Sequence, residues 1–161
     1  MNNRKIARYA LLVALAMVLS WVESLVPVTA AMPGVKLGLT NLVVIFALYR
    51  MSLRDAAVIS LIRVLLVSFT FGNAYAFAYS TAGAVLSLAV MALLKKTGKF
   101  STVGVSVSGG VFHNVGQILV AMAVLGTGKI ALYLPVLMVS GLAAGVAIGV
   151  VGGLLVQRVP D

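Results

Sequence analysis

The sequence predicts an all-α integral membrane protein that forms one bundle of six transmembrane helices. Of its 161 residues, 62% are hydrophobic and only 9% are charged, whereas about a quarter of the residues in a soluble domain are charged. The mean hydropathy is +1.16. All but one of the twelve Lys and Arg residues lie at the ends of long apolar runs or between them. Lipid is the solvent that suits such a chain.

The charged residues also limit the classes of function. The net charge of +9 would suit nucleic acid, but the basic residues punctuate the apolar runs instead of forming one patch. We therefore expect no nucleic-acid partner. The chain has no cysteine, one histidine (His113) and three acids (Glu23, Asp55 and Asp161), so we expect no metal site and no intrinsic cofactor.

The first three apolar runs are separated by turn signals. A helix needs about 20 residues to cross a hydrocarbon core of about 30 Å. The first run ends at Pro27, and the turn-rich residues 28–36 precede a shorter second run. A basic turn at residues 50–54 follows, after which Asp55 is predicted to be the N-cap of the third helix.

The last three runs are separated in the same way, by residues 72–73, by the lysines of residues 95–99 and by residues 126–129. The sixth run is long enough to tilt in the bilayer. No repeat or linker divides the chain, so residues 1–161 are predicted to form one transmembrane domain. The predicted spans are residues 7–27, 37–51, 55–71, 74–94, 103–125 and 130–156.

The basic residues predict the orientation of the bundle. If the N-terminus is cytoplasmic, nine Lys and Arg residues lie in cytoplasmic segments and two lie in outer loops. This bias follows the positive-inside rule and predicts a protein of the cytoplasmic (inner) membrane with both termini in the cytoplasm. The nine are Arg4, Lys5, Arg8, Arg50, Arg54, Lys95, Lys96, Lys99 and Arg158, and the two are Lys36 and Lys129.

Two spans carry stripes of small residues, which let helix backbones approach closely in lipid. Four glycines recur every four residues in the sixth span, and three alanines share one stripe of the first span. Each stripe is expected either to pack inside the bundle or to dock a partner. Docking suits the alanines, since six helices can hardly bury every small stripe. The residues are Gly141, Gly145, Gly149 and Gly153, and Ala7, Ala10 and Ala14.

Arg63 is the most unusual residue of the predicted spans. It lies eight residues into the third span, about 12 Å from its start. An arginine near the bilayer centre costs about 2.5–3.5 kcal/mol on insertion scales, so its side chain must face the bundle or water. We expect it either to contact a ligand or to pair with helix carbonyls or with Glu23.

The fifth span contains the densest polar cluster. Gly110, Asn114 and Gln117 lie on one helical face, and His113 lies four residues before Gln117 on an adjoining face. Such a cluster indicates a binding site, although hydrogen bonds between helices are the alternative.

These side chains predict an outward-facing pocket beneath the first loop. Its charge would suit an anionic small molecule, and no catalytic residue is predicted. The candidate substrate-binding residues are Glu23, Lys36, Asn41, Arg63, His113, Asn114 and Gln117.

Three features together resemble one bacterial family over essentially the whole chain. They are the segment Pro-Gly-Val-Lys-Leu-Gly-Leu-Thr-Asn at residues 33–41, the helix of Arg63, and Gly-Gly-x-x-His-Asn-x-Gly-Gln at residues 109–117. The family is the Gx transporter family, also named heptaprenyl diphosphate synthase component I. It is similar to the S components of energy-coupling factor (ECF) transporters, which are six-helix proteins with both termini inside and an outer pocket.

The resemblance to S components implies a transport partner. An Ala-x-x-x-Ala motif on the first helix of an S component docks a transmembrane coupling subunit, and Ala10 and Ala14 match it, with Ala7 extending the stripe. ATP would be used by partner ATPases, and this chain has no Walker A motif.

The synthase name implies an alternative function. Prenyl chain elongation depends on paired aspartate-rich motifs that hold Mg²⁺, and this chain has only two aspartates. It is therefore expected not to be an enzyme. In this alternative it is a noncatalytic membrane subunit for prenyl diphosphate or menaquinone biosynthesis, or for flavin-linked electron transfer. Its partner would then be a prenyl synthase catalytic subunit or a membrane flavoprotein.

Overall fold

The computed structural model describes residues 3–25 and 38–159, which form α-helices and one short 3-10 helix and include no strand. Turns of two to eight residues connect the helices from residue 50 onward. In chain order the helices are α1 (Asn3–Leu25), α2 (Asn41–Arg50), α3 (Leu53–Phe71), α4 (Ala74–Thr97), α5 (Thr102–Leu125), the 3-10 helix Gly128–Tyr133, and α6 (Leu134–Arg158).

Four of the six predicted spans have the length and composition to cross a membrane. They are α1, α4, α5, and α6 with the 3-10 helix that precedes it. Helix α2 has only ten residues and is about 15 Å long, half of a hydrocarbon core. Helix α3 has 19 residues but contains Arg54, Asp55 and Arg63. The protein is thus a multi-pass membrane protein whose described residues are helical and include four candidate spans.

The predicted second span, residues 37–51, is too long. The helix begins only at Asn41, because Gly38 adopts a left-handed backbone conformation with φ of 69°. A residue in that conformation cannot continue a right-handed helix. Residues 38–40 form a turn in which the Asn41 N–H donates to the Gly38 carbonyl at 2.8 Å.

The start of α3 also differs from the prediction. Ser52, not Asp55, is the N-cap, and the two residues form a capping box. The Asp55 N–H donates to Ser52 Oγ at 3.2 Å, and the Ser52 N–H donates to Asp55 Oδ2 at 3.1 Å. This reciprocal pair satisfies two of the free N–H groups at the helix start.

Other helix ends lie a few residues from their predicted positions. Helix α4 continues past residue 94 to Thr97 and ends at Gly98, which has φ of 68°. Its final lysines extend the helix because cations are favoured near a helix C-terminus. At the start of the predicted span 130–156 the chain is a 3-10 helix, and α6 begins only at Leu134.

The shortest α-helix lies at the centre of the bundle. Helix α2 packs against α1, α3, α5 and α6. Half of its residues form the middle of the apolar core, and none of these is more than 2% exposed. The buried α2 residues are Val43, Val44, Ile45, Ala47 and Leu48.

Helices α5 and α6 pack closely along the predicted glycine stripe. A Cβ at Gly145 would lie 2.5 Å from Val107 Cα, and a Cβ at Gly149 would lie 2.6 Å from Val103 Cα. At Gly153 the nearest atom would be 3.7 Å away, which is ordinary contact. Packing inside the bundle is confirmed for the first three glycines of the stripe, while Gly153 is not required to be glycine by its surroundings.

Polar contacts bring the basic segments to one end of the bundle. Lys5 Nζ forms an ion pair of 2.7 Å with Asp55 Oδ1, which also accepts a hydrogen bond of 2.5 Å from the Tyr9 hydroxyl. Arg50 Nη2 donates to the carbonyl of Val159 at 2.6 Å. These contacts join the start of α1 to the start of α3, and the end of α2 to the end of α6.

The glycine packing predicts the effect of a single added methyl group. We expect Gly145→Ala to destabilise the protein by about 1–3 kcal/mol, because overpacking forces two backbones apart. The matched control is Gly153→Ala on the same helix, where the methyl group has room. Unfolding of both variants in detergent, followed by circular dichroism, measures the difference. Equal stabilities of the two variants would contradict the close contact.

Candidate functional site

A cavity of about 350 Å³ lies between the helices. It is lined by residues from all six helices, including Ser20 of α1, Ser80 of α4 and Gly141 of α6. Concave sites of 300 Å³ or more, with a few polar groups in an apolar surface, are typical of small-molecule binding sites. The cavity is therefore the candidate functional site of the described structure.

The length of α2 explains where the cavity lies. Thr40 and Asn41, at the start of α2, line the cavity, and the other end of α2 lies at the basic end of the bundle. Helix α2 spans about 15 Å, whereas its neighbours α1 and α5 span about 35 Å. Beyond Thr40 this central helix has no further turn to fill the space between its neighbours.

Arg63 of α3 is half-buried and lines the cavity. Its Nη1 donates a hydrogen bond to the hydroxyl of Thr40, which is itself 6% exposed. Its Nε atom is buried and has no hydrogen-bond partner among the described residues. The turn before α2 thus holds the guanidinium through one neutral oxygen.

Glu23 of α1 lies at the same turn. Its side chain is 8% exposed, and its Oε1 accepts a hydrogen bond of 2.7 Å from the backbone N–H of Gly38. The predicted pairing of Glu23 with Arg63 is wrong as a direct contact, because the described structure contains no ion pair between them. Both side chains nevertheless line one cavity.

Helix α5 contributes His113 and Asn114 to the cavity. Asn114 Nδ2 donates to the carbonyl of Leu137 on α6 at 2.5 Å, so this side chain also joins two helices. His113 packs against Gly83 of α4, where a Cβ would lie 2.9 Å from the imidazole ring. The glycine leaves room for the imidazole at the cavity wall.

Five of the seven predicted site residues line the cavity, namely Glu23, Asn41, Arg63, His113 and Asn114. Gln117 is half-buried but does not line it, because it lies one turn beyond the helical segment that faces the space. Lys36 lies outside the described residues.

Four serines that line the cavity are not among the site residues predicted from the sequence. Ser20 and Ser24 flank Glu23 at helical spacing on one face of α1, and Ser68 and Ser80 extend the polar lining on α3 and α4. The i, i+3, i+4 spacing of Ser20, Glu23 and Ser24 is the signal that would have found the first two. A single serine in a transmembrane helix, such as Ser68 or Ser80, does not by itself indicate a binding site, because serine also packs between helices.

The lining of the cavity combines an apolar surface with separate polar groups. Val64, Val67, Phe71 and Ile148 supply an apolar surface, and the polar groups are spread around it. Among the residues that the structure describes, no three His, Cys, Asp or Glu side chains form a group suited to a metal ion. The lining can thus hold a small organic molecule by its charged and apolar parts.

The three alanines proposed for partner docking lie on the outside of the bundle. Ala7, Ala10 and Ala14 are exposed, whereas Leu12 and Ala16 of the same helix are buried against the other helices. Their stripe is therefore exposed on the surface of the described bundle.

The contact between Arg63 and Thr40 gives a test of the site. We expect Thr40→Val to destabilise the protein by about 1–3 kcal/mol, since it removes the acceptor of a buried cationic donor. Thr40→Ser keeps the hydroxyl and should retain most of the stability. Unfolding in detergent measures both variants.

A second pair of variants shows whether the loss acts through Arg63. In an Arg63→Met background the guanidinium is absent, so Thr40→Val should cost little more. A full additional loss in that background would assign the effect to Thr40 packing alone.

Comparison with known proteins supplies a family. The family described as heptaprenyl diphosphate synthase component I matches residues 12–155 of the chain. No curated protein and no solved structure matches the chain significantly. The matched region begins within α1, ends within α6 and contains every lining residue of the cavity. The chain belongs to the heptaprenyl diphosphate synthase component I family.

Proposed function

We propose that this chain is a membrane-embedded solute-binding protein that works like the S component of an ECF transporter. The observation that carries the proposal is the cavity of about 350 Å³ inside the helices, with Arg63 and Glu23 in its lining. Charged side chains within a membrane bundle are costly and mark sites of substrate or ion binding. The ligand is a small molecule bound from the outer side.

The proposal includes the six-span topology with both termini in the cytoplasm of a bacterium. Its support is that the contacts of Lys5 and Arg50 gather the basic segments at one end of the bundle, as the positive-inside rule requires of the cytoplasmic end. In this topology α3 crosses the membrane with one face exposed, and α2 covers about half of the second crossing, where its neighbours shield it from lipid.

Uptake requires an energy source that this chain lacks, so we assign ATP hydrolysis to partner subunits. The exposed alanine stripe of α1 is the proposed docking surface for a transmembrane coupling subunit. Small residues permit a second helix to approach closely. Large apolar side chains border the stripe, including Leu11, which is 69% exposed. Neither cofactor binding nor catalysis is assigned to the chain itself.

The family name favours a second candidate function. In that case the chain is the noncatalytic membrane component of a prenyl diphosphate synthase, and its partner is the catalytic component. Asp55 is bound by Lys5 and Tyr9 at the basic end and does not line the cavity, and we assign it no catalytic role. The two candidates differ in their partners and in the ligand of the cavity.

Native mass spectrometry of the protein purified in mild detergent tests both candidates. We expect a bound small molecule to be released, and we expect Ala144→Phe to abolish it by filling the cavity. The matched control is Ala143→Phe on the exposed side of the same helix, which should keep the ligand. An empty cavity after growth in rich medium, or a ligand retained by Ala144→Phe, would refute the binding site.

The proteins that copurify in the same preparation identify the partner. Copurified ATPase and coupling subunits that are lost with Ala10→Leu, but kept with Ala147→Leu on the exposed side of α6, would support transport. Copurification of a prenyl synthase subunit instead, unaffected by Ala10→Leu, would establish the second candidate.

The proposed orientation predicts which single cysteines are accessible from outside the cell. The chain has no cysteine, so Lys99→Cys and Lys129→Cys each introduce one reactive thiol at an exposed position. In intact cells a membrane-impermeant maleimide should label Lys129→Cys alone, and both should react once the membrane is broken. Labelling of Lys99→Cys alone in intact cells would show that the orientation is the opposite of the proposed one.

A further inference from the structure

Two opposite charges lie in one cavity without pairing. Glu23 and Arg63 both line it. No hydrogen bond or ion pair joins them in the described structure. Oppositely charged groups in a site of low polarity attract strongly, so their separation needs a cause.

The turn before α2 is that cause. Glu23 is held by the N–H of Gly38, and Arg63 is held by the hydroxyl of Thr40, two residues further along. The Cα atoms of two such residues lie at most about 7 Å apart. One turn therefore anchors both a carboxylate and a guanidinium, each on its own neutral partner.

Each charge is incompletely compensated in this arrangement. The described contacts give Arg63 a single hydrogen bond, which uses Nη1, and leave its buried Nε without an acceptor. The described contacts also give the Glu23 carboxylate a single hydrogen bond, which uses Oε1. A buried charge needs a counter-charge or several hydrogen bonds to offset its lost hydration. An anionic group beside Arg63 would supply the counter-charge of the guanidinium, and a cationic group beside Glu23 would supply that of the carboxylate.

The rest of the lining describes the body of such a molecule. Val64 and Val67, on the same helix as Arg63, form an apolar surface with Phe71 and Ile148. A cavity of about 350 Å³ accommodates one small organic molecule, with its apolar part on this surface.

We propose that the ligand is a small zwitterion whose anionic group binds Arg63, whose cationic group binds Glu23, and whose apolar body lies against α3 and α6. The positive end of the α2 dipole, at Asn41, adds to the preference for an anionic group beside Arg63. This inference rests on the proposed solute-binding function and names the substrate class of that site.

Three probes on one benzene ring test the proposal. They are 4-(aminomethyl)benzoate, which is a zwitterion, 4-methylbenzoate, which carries only the anion, and 4-methylbenzylamine, which carries only the cation. Isothermal titration against the detergent-purified, ligand-stripped protein measures their affinities. We expect the zwitterion to bind at least about tenfold more tightly than either analogue, since it retains one further charge contact.

Two substitutions assign each charge of the probe to its partner. Glu23→Gln keeps an oxygen for the Gly38 N–H and should remove the advantage of the zwitterion over 4-methylbenzoate. Arg63→Gln should remove its advantage over 4-methylbenzylamine. Lys96→Gln, an exposed charge at the basic end, is the control and should change neither ratio. Melting temperatures identify any variant that fails to fold, and for that variant the comparison is repeated with Glu23→Asn or Arg63→Met, which also remove the charge.

The outcomes separate this inference from the proposed function. Tighter binding of 4-methylbenzoate than of the zwitterion would overturn the inference and leave a solute-binding cavity for anions. Equal binding of all three probes would also overturn it, because the charges would then be satisfied by water. If none of the probes binds while native mass spectrometry still finds a ligand sensitive to Ala144→Phe, the zwitterion class is wrong. The absence of both signals would refute the function itself.

Discussion

The structure depends on a central helix that is too short for the bundle around it. Helix α2 is fully surrounded by its neighbours, and its ten residues cover only about half of a bilayer core. The basic half of the bundle is thereby filled with aliphatic side chains, and a space is left beyond the other end of α2. The cavity, its charged lining and the turn at Gly38 all lie where this helix begins.

Close helix packing keeps that space from spreading through the bundle. The glycines of α6 bring its backbone against α5, and Gly116 of α5 does the same against α4 at Ala82 and Gly83. In lipid such contacts, together with hydrogen bonds between helices, hold helices together, since there is little hydrophobic drive for association. Helices α4, α5 and α6 are therefore tightly packed against each other beside the cavity. Their direct contacts stabilise the bundle although its interior contains a cavity.

The sequence was sufficient for the all-helical membrane class and for most helix positions, because apolar runs and basic turns are strong signals. The sequence was insufficient for the start of α2. The apolar run from Leu37 to Met51 predicts one helix, but Gly38 is left-handed and the helix begins only at Asn41. Apolar composition does not distinguish a helix buried among helices from one that faces lipid. The sequence alone cannot reveal a left-handed glycine unless the neighbouring turn is already known.

The candidate site was partly predictable for a related reason. Arg63, His113 and Asn114 are conspicuous because polar groups are rare in apolar runs. Gln117 is equally conspicuous but lies a turn away from the cavity, since helical periodicity fixes a face without fixing the depth at which that face meets a space. The pairing of Glu23 with Gly38, and of Arg63 with Thr40, depends on three segments meeting at one turn.

The charges of α3 bear on how the chain enters a membrane at all. A helix that contains Arg54, Asp55 and Arg63 gains little by moving into lipid alone, and α2 is too short to do so. Partners for these charges come from α1, through Lys5 and Tyr9, and from the turn before α2. In the proposed six-span topology, we therefore expect insertion of this hairpin to be cooperative. The α2–α3 pair would then become stable in the bilayer only together with its neighbours, so this part of the chain would not insert one independent helix at a time.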